Sequence, residues 1–341
     1  MECCFFHTLD LKSHIVLFYF FVFFVVHFFE WREVFMKRAK KIIIGTLIAL
    51  GLLYVILIIV AYLPYKTTPI EELTGKDSKF IEVNGNTVHY TKQGTGKPLI
   101  LVHGFAGFTY TWRYLIPLLT DHFTLYAYDV LGFGLSDKPA DGEYDMGPHG
   151  EFLIDFMDAL GLPSATLVGH SMGGIIIAYA SIAAPERVDS LVMIEPGFYN
   201  DPGPAFLNYM FFPLDRIMAR QFYTRSMRER FFMGSFYNKS LVTDEIIDAY
   251  MIPTRTPNAL EAMTQMMGTV GLKQYPGVTE QITRPALLVW GERGPDDPME
   301  QATRINSEVK ECKLVTIPES GHYIQEEKAE ELAQIIKEYL Q

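Results

Sequence analysis

The sequence of 341 residues has little cysteine and a shortage of positive charge. Cys3 and Cys4 lie in the N-terminal segment, so Cys312 stands alone in the rest of the chain and cannot form a disulfide there. We interpret Cys312 as a small apolar residue of a strand. The formal net charge is −11, and residues 66–341 carry 23 Lys and Arg against 36 Asp and Glu. Such a surface repels a polyanion, which excludes nucleic acid as a partner.

The sequence also lacks the short motifs that hold metals and nucleotides. It contains no His-Glu-x-x-His pair, no paired cysteine ligands and no phosphate-binding glycine loop with its lysine. The stretch GFGLSD (132–137) has two glycines, but neither the lysine nor the spacing of such a loop. We therefore expect neither a metal nor a cofactor.

An uncharged apolar run of 22 residues (42–63) lies near the N-terminus. It is long enough to cross about 30 Å of hydrocarbon as a helix. The preceding MKRAKK (36–41) carries four positive charges, which predicts a cytoplasmic N-terminus and an extracytoplasmic location for the rest of the chain. We interpret residues 36–65 as a basic flank and a single transmembrane anchor. A cleaved signal peptide is the alternative, although the run is long for one and no small-x-small site follows it.

An earlier apolar run of 15 residues (15–29) is interrupted by His27. One interpretation makes it half of a membrane hairpin. The other makes residues 1–35 an extension in front of a true start at Met36. The second is favoured because MKRAKK with its apolar run is a complete membrane-targeting N-terminus by itself.

After a polar linker (66–78), strand-like and helix-like runs alternate. Two alternating segments around Asn84-Gly85 predict a hairpin. Apolar runs then predict buried strands at 99–102, 123–128, 166–168, 190–194, 286–290 and 313–317. Helical patterns separate several of them. This order predicts an α/β fold with a mostly parallel sheet and helices on both of its faces.

Residues 196–281 interrupt the alternation. They contain no convincing strand and are rich in Phe, Tyr and Met. We expect a helical lid over the carboxyl ends of the strands, where open α/β sheets bind ligands. The core domain then comprises residues 79–195 and 282–341.

The most specific chemical signal is Gly-x-Ser-x-Gly at residues 169–173. It follows a strand directly and precedes a helix directly, as a nucleophilic serine on a sharp strand-to-helix turn requires. The start of the helix also favours developing negative charge. We therefore predict that Ser171 is a nucleophile.

Two further stretches supply the groups that such a serine needs. In ILVHGFAG (100–107) a strand ends in an irregular loop, and we expect the N–H groups of Phe105 and Met172 to hold an acyl oxygen. In IPESGHYIQEE, His322 follows the last strand, where the base of a triad comes in chain order. We predict that His322 accepts the proton of Ser171.

The stretches HGFAG, YDVLGFGLSD, GHSMGG and SGHYIQEE occur in this order over residues 78–341. Together they resemble the α/β-hydrolase superfamily, and in particular its lidded members, which include esterases, lipases and carbon–carbon bond hydrolases. The resemblance implies an eight-stranded sheet, a lid after the sixth strand and a Ser–acid–His triad.

The acid departs from the usual pattern of that superfamily. In LLVWGERGPDDP, Gly294 stands where an acidic residue usually follows the seventh strand. The sixth strand ends instead in Glu195, and a branch of the haloalkane dehalogenases resembles this arrangement. That branch has an aspartate in place of Ser171, so dehalogenation is not implied. We predict that Glu195 is the acid, and Asp296 remains the alternative.

These features predict a membrane-anchored serine hydrolase that acts on a small apolar ester or acyl compound. Two alternatives stay open. One is a different acyl or carbon–carbon bond hydrolysis on the same triad. The other is a non-catalytic, membrane-tethered binding module, in which Ser171 would not react with a fluorophosphonate. The sequence indicates no oligomeric state.

The N-terminal interpretation is tested by the mass of the N-terminal peptide of protein isolated from its native host. We expect a chain that begins at Met36 and keeps residues 42–63. An intact Met1 would contradict the extension hypothesis. A chain that begins after Leu63 would instead show that the apolar run is a cleaved signal peptide.

Overall fold

The apolar run before Pro64 forms one long helix, α1 (Lys37–Ala61), in the computed structural model. The structure describes residues 37–140, 142–199, 213–266, 273–293 and 299–341, together with Ile15, Val16, Phe18, Tyr19 and Val22. Met36 and most of residues 1–35 therefore lie outside the described residues. The helix ends two residues before the predicted limit at Leu63, because a residue that precedes proline is disfavoured in the helical region.

The chain forms two units, Met1–Tyr62 and Leu63–Gln341. Within the first, Ile43–Ala61 is long and apolar enough to span a membrane. Its side chains are exposed or only partly covered, except for the buried Ala61. A signal sequence passes the same test of length and composition, so both interpretations of this run stand.

The second unit is built on a single sheet of eight strands. The strands are β1 (Lys79–Val83), β2 (Asn86–Gly94), β3 (Lys97–Val102), β4 (Phe123–Tyr128), β5 (Ala165–His170), β6 (Val188–Ile194), β7 (Ala286–Glu292) and β8 (Cys312–Pro318). Their spatial order is β1-β2-β4-β3-β5-β6-β7-β8. Strands β3 to β8 are parallel, whereas β2 is antiparallel to both of its neighbours. The predicted mostly parallel, eight-stranded sheet is confirmed.

The predicted hairpin joins β1 to β2. Asn84 and Gly85 occupy its two turn positions with φ values of 51° and 77°. Positive φ at both positions matches the twist of the flanking strands, which explains the Asn-Gly pair.

Helices cover both faces of the sheet, since both faces are apolar. In β3, Leu99 and Leu101 belong to one core cluster, while Ile100 and Val102 belong to the other. Successive side chains of a strand point to opposite faces, so an unbroken apolar strand requires cover on each side. The covering helices are α2 (Ile116–Leu119), α3 (Met146–Ala159), α4 (Met172–Ala183), α9 (Glu300–Glu308), α10 (Ile324–Glu327) and α11 (Ala329–Leu340).

Between β6 and β7 the described chain is helical. This segment contains α5 (Leu214–Phe222), α6 (Arg225–Ser235), α7 (Asp244–Tyr250) and α8 (Ala259–Met266), which we call the lid helices. The predicted helical lid is confirmed, although residues 200–212 and 267–272 of that segment lie outside the described residues. Thr224 and Thr243 cap α6 and α7 by accepting hydrogen bonds from the first turn of each helix.

Asp129, which directly follows β4, anchors the loops that contain Thr109 and Leu135. Its carboxylate accepts hydrogen bonds from the backbone N–H groups of Thr109 (2.6 Å) and Leu135 (2.7 Å), and it pairs with His89 Nδ1 at 2.7 Å. Burial alone would raise the pKa of Asp129, but His89 and the backbone donor outweigh burial and lower it. Asp129 is therefore an ionised anchor of the loops.

The fold predicts acid sensitivity through His149 in α3. This side chain is buried, its Nε2 has no hydrogen-bond partner among the described residues, and burial lowers its pKa to about 4. Between pH 6.5 and 4 the unfolded chain binds a proton at this position and the folded chain does not, so stability falls as the pH falls. We expect His149 to account for a loss of about 2 kcal/mol between pH 7.5 and 5.

Urea unfolding of wild type and His149→Gln at the two pH values measures this contribution. The variant should lose less stability on acidification than wild type does. The exposed His122 offers a control, because His122→Gln should keep the wild-type pH dependence. Equal pH dependence in wild type and His149→Gln would contradict the prediction.

Candidate active site

Ser171 occupies a sharp turn between β5 and α4. Its backbone has φ 53° and ψ −114°, and α4 begins at the next residue, Met172. Positive φ is uncommon for a residue with a side chain and is kept only where the surroundings enforce it. The backbone around Ser171 is thus held at the start of a helix, where N–H groups have no partner within the helix.

Two glycines make this turn sterically feasible. A Cβ on Gly173 would lie 2.1 Å from the carbonyl oxygen of Val102, and a Cβ on Gly169 would lie 2.3 Å from the carbonyl oxygen of Gly173. Neither oxygen can move away without displacing backbone. The Gly-x-Ser-x-Gly pattern therefore reflects the contact of α4 with β3 as well as the turn itself.

The loop after β3 passes directly over the serine. A Cβ on Gly104 would lie 3.0 Å from Ser171 Cβ. The next residue, Phe105, has an N–H from which no described residue accepts a hydrogen bond. Met172 N–H lies at the start of α4, directly after the serine. The structure thus brings both predicted oxygen-binding residues to Ser171.

Glu195 is the first residue after β6, and its side chain is 3% exposed. Its Oε1 accepts a hydrogen bond of 2.7 Å from Gly291 N–H, and its Oε2 accepts one of 2.9 Å from Arg293. Oε2 also lies 3.1 Å from His322 Nδ1. Glu195 itself has a φ of 46°. The buried carboxylate thus has three hydrogen-bond partners, and one of them is the predicted base.

Backbone hydrogen bonds hold the serine turn and the glutamate at the same edge of the sheet. Ser171 N–H donates to the carbonyl of Ile194 at 2.9 Å, and Glu195 N–H donates to the carbonyl of Val289 at 3.0 Å. These bonds continue the pairing of β5 with β6 and of β6 with β7 past the ends of the strands.

The backbone of His322 is fixed from two sides. His170 Nε2 lies 2.8 Å from the His322 carbonyl, and His322 N–H donates to the Ser235 carbonyl at 2.8 Å. Burial, together with the nearby His322, lowers the pKa of His170 far below its usual range. His170 is therefore neutral and donates from Nε2, so it positions the backbone of His322 and is not itself a candidate base.

The predicted residues Ser171, Met172, Phe105, Glu195 and His322 thus converge at the carboxyl edge of the sheet. Gly294 and the alternative acid Asp296 lie outside the described residues. Within the part of the chain that the structure describes, no group of three or more His, Cys, Asp or Glu side chains could hold a metal ion.

Sequence reasoning missed two partners of Glu195. The Arg293 side chain and the Gly291 N–H both bind its carboxylate. Both residues belong to the stretch WGERG, in which Gly294 stands in place of the usual acid. The sequence did contain a signal for these partners: Arg293 directly precedes Gly294, the glycine that replaces the usual acid. A carboxylate that reaches this loop from another strand needs a positive partner, and an arginine supplies it.

Comparison with known proteins shows which family and which proteins the chain resembles. A family model described as alpha/beta hydrolase fold matches residues 97–329. The chain is 28% identical over 259 residues to the uncharacterized hydrolase YugF of Bacillus subtilis (strain 168), covering 76% of this chain and 94% of that protein. It is 26% identical over 294 residues to haloalkane dehalogenase 2 of Mycobacterium tuberculosis (strain ATCC 25618 / H37Rv), covering 80% and 97%.

The fold is also shared with solved structures. The ligand-free epoxide hydrolase CorEH aligns with a TM-score of 0.66 at 22% identity, and the alignment covers 77% of this chain and 98% of that chain. The region matched by the family model contains β3 to β8 and therefore Ser171, Glu195 and His322.

The contact at Gly173 predicts a large effect of a single methyl group. Gly173→Ala should push α4 away from β3 and lower stability by about 1–3 kcal/mol or more, because the clash is with backbone. Gly234→Ala is the matched control, since a Cβ on Gly234 in α6 meets no atom within 4 Å. Thermal unfolding of both variants checks this. A melting temperature of Gly173→Ala equal to that of wild type would show that the contact is not as tight as described.

Proposed function

Because the chain belongs to the alpha/beta hydrolase family, we propose that it is a membrane-anchored serine hydrolase that cleaves carboxylic esters through an acyl-enzyme. The observation that carries the proposal is the hydrogen bond between His322 Nδ1 and the buried Glu195 carboxylate, 3.1 Å long. It holds a histidine at the edge of the sheet where the serine turn also lies.

In the proposed reaction Ser171 Oγ attacks the ester carbonyl and His322 Nε2 accepts its proton. The assignment of Nε2 follows from the contact with Glu195. When Nδ1–H donates to the carboxylate, Nε2 carries the free lone pair. Glu195 also stabilises the imidazolium that forms as the proton moves. His322 then protonates the leaving alcohol.

The oxyanion of the tetrahedral intermediate is held by the N–H groups of Phe105 and Met172. These groups lie on the two segments that flank the serine, and Met172 adds the favourable dipole at the start of α4. Water then attacks the acyl-enzyme with His322 as the base, which releases the acid and restores Ser171.

The nucleophile separates this proposal from the activity for which haloalkane dehalogenase 2 is named. If Ser171 displaced a halide from a carbon chain, it would form an alkyl ether, which water and a histidine do not open. An acyl group on the same serine is an ester, and the same machinery hydrolyses it. A serine at residue 171 therefore favours an acyl substrate.

The lid helices favour an apolar acyl chain. Phe105 packs against Phe222 of α5, with ring centres 5.5 Å apart. Leu260 and Met263 of α8 belong to the same apolar cluster. The predicted oxygen-binding loop thus borders a largely apolar region.

Membrane anchoring is proposed from the helix that contains Ile43–Ala61 and from the four basic residues of MKRAKK before it. On this proposal the hydrolase unit lies on the extracytoplasmic side. Residues that follow the helix are bound to the lid: the Leu63 carbonyl accepts from Arg220 at 2.6 Å, and Thr68 N–H donates to the Arg255 carbonyl at 2.7 Å.

Hydrolysis of short-chain p-nitrophenyl esters by the full-length protein in detergent tests the proposal. Ser171→Ala and Glu195→Gln should each lower kcat by a factor on the order of 10³ or more, since each removes a member of the triad. Asp296→Asn should stay active and serves as the matched control for loss of a carboxylate.

If Asp296→Asn loses its activity while Glu195→Gln keeps it, the acid of the triad belongs to the loop after β7. A fluorophosphonate separates the remaining alternatives. Labelling of Ser171 without ester turnover would favour another acyl or carbon–carbon bond substrate. Absence of labelling would favour the non-catalytic binding module and contradict the proposal.

A further inference from the structure

The lid helix α6 buries an arginine beside the site. Arg228 is 2% exposed, and a guanidinium stays charged in proteins. Its Nη1 donates one long hydrogen bond, 3.3 Å, to the Ala106 carbonyl. The guanidinium carbon lies 5.0 Å from the centre of the Phe222 ring. Its Nε has no hydrogen-bond partner among the described residues.

Arg225, on the same helix, is paired in the ordinary way. It donates to Asp244 at 2.5 Å and to Asp248 at 3.0 Å, at the protein surface. No described carboxylate forms such a pair with Arg228. The ionisable side chains near Arg228 include those of Tyr223, Tyr250 and Tyr323. Burial raises the pKa of each of these tyrosines, so they are neutral hydroxyls.

A buried cation without a counter-anion is unfavourable, because it has lost its water and gained no negative partner. The guanidinium presents five N–H donors in a planar fork that matches the oxygens of a carboxylate or a phosphate. Among the described residues, the Arg228 guanidinium donates one hydrogen bond, to the Ala106 carbonyl. Its remaining donors are suited to an anion that none of the described residues supplies.

The position of Arg228 connects it to the proposed reaction. Ala106 directly follows Phe105, so the backbone between Phe105 N–H and the Ala106 carbonyl spans at most about 7 Å. The guanidinium therefore lies within about 10 Å of that oxygen-binding N–H. At the other end of the same helix, the Ser235 carbonyl accepts from His322 N–H at 2.8 Å. Helix α6 thus contacts both the oxygen-binding loop and the base.

We propose that Arg228 binds an anionic oxygen group of the substrate, a carboxylate or a phosphate, a few atoms away from the ester that is cleaved. The inference rests on the proposed ester hydrolysis and adds the charge of the substrate to it. The substrate then combines an apolar chain with one negative group. Arg228 is a specificity-determining residue in this proposal, because it contacts the substrate away from the reacting atoms.

Two matched pairs of esters test the proposal with the full-length protein in detergent. Mono-p-nitrophenyl glutarate and p-nitrophenyl valerate differ by a carboxylate at the end of an acyl chain of equal length. Lysophosphatidic acid and the corresponding monoacylglycerol differ by a phosphate on the alcohol. Wild type should prefer the charged member of one pair by on the order of 10²-fold in kcat/KM.

Arg228→Gln should abolish that preference, and Arg228→Lys should keep only part of it because an ammonium lacks the planar fork. Arg225→Gln is the control, since it removes the same charge from the surface of the same helix and should keep the wild-type preference. A preference within the glutarate pair assigns the anion to the acyl part. A preference confined to the lysophosphatidic acid pair assigns it to the alcohol.

Equal rates for charged and neutral esters in wild type would overturn the inference and leave ester hydrolysis intact. A preference for charged esters that survives in Arg228→Gln would have the same consequence. If Arg228→Gln does not fold, inhibition of wild type decides. Glutarate or glycerol phosphate should inhibit more strongly than valerate or glycerol, and equal inhibition overturns the inference. Absence of both turnover and fluorophosphonate labelling removes the ester function, and the inference falls with it.

Discussion

The buried Glu195 carboxylate receives hydrogen bonds from Gly291 N–H and from the side chains of Arg293 and His322. The rest of the site depends on this convergence, because a buried carboxylate is stable only while donors surround it. The three donors belong to the end of β7 and to the loop after β8. The position of His322 is therefore coupled to the packing of β6, β7 and β8.

The lid takes part in the same arrangement. Helix α6 ends at Ser235, whose carbonyl binds the backbone of His322, and its first turns bring the buried Arg228 to the loop after β3. A shift of α6 would therefore move the backbone of His322, the predicted base, together with the surroundings of the loop that contains Phe105. In this chain the lid helps to position the residues of the site and also covers them.

The fold was predictable to a large extent from local sequence patterns. The apolar runs located the strands within a few residues, because a strand buried on both faces must be apolar throughout. Boundaries were less accurate. The helical pattern GEFLIDFMDALGL begins at Gly150, but helix α3 begins four residues earlier, at Met146, because Asp145 caps it by accepting a hydrogen bond from Met146 N–H. A cap depends on a single hydrogen bond, so hydrophobic periodicity does not indicate where the capped helix begins.

The sequence by itself determined the mostly parallel sheet, the lid and the order of Ser171, Glu195 and His322 along the chain, because periodicity and glycine positions act over short distances. Only the tertiary structure decided that Glu195 contacts His322, 127 residues away, and that Arg228 is buried with no counter-anion among the described residues. Both facts depend on which strand ends and helices become neighbours. No local pattern records that choice, since it results from packing the whole sheet and its lid.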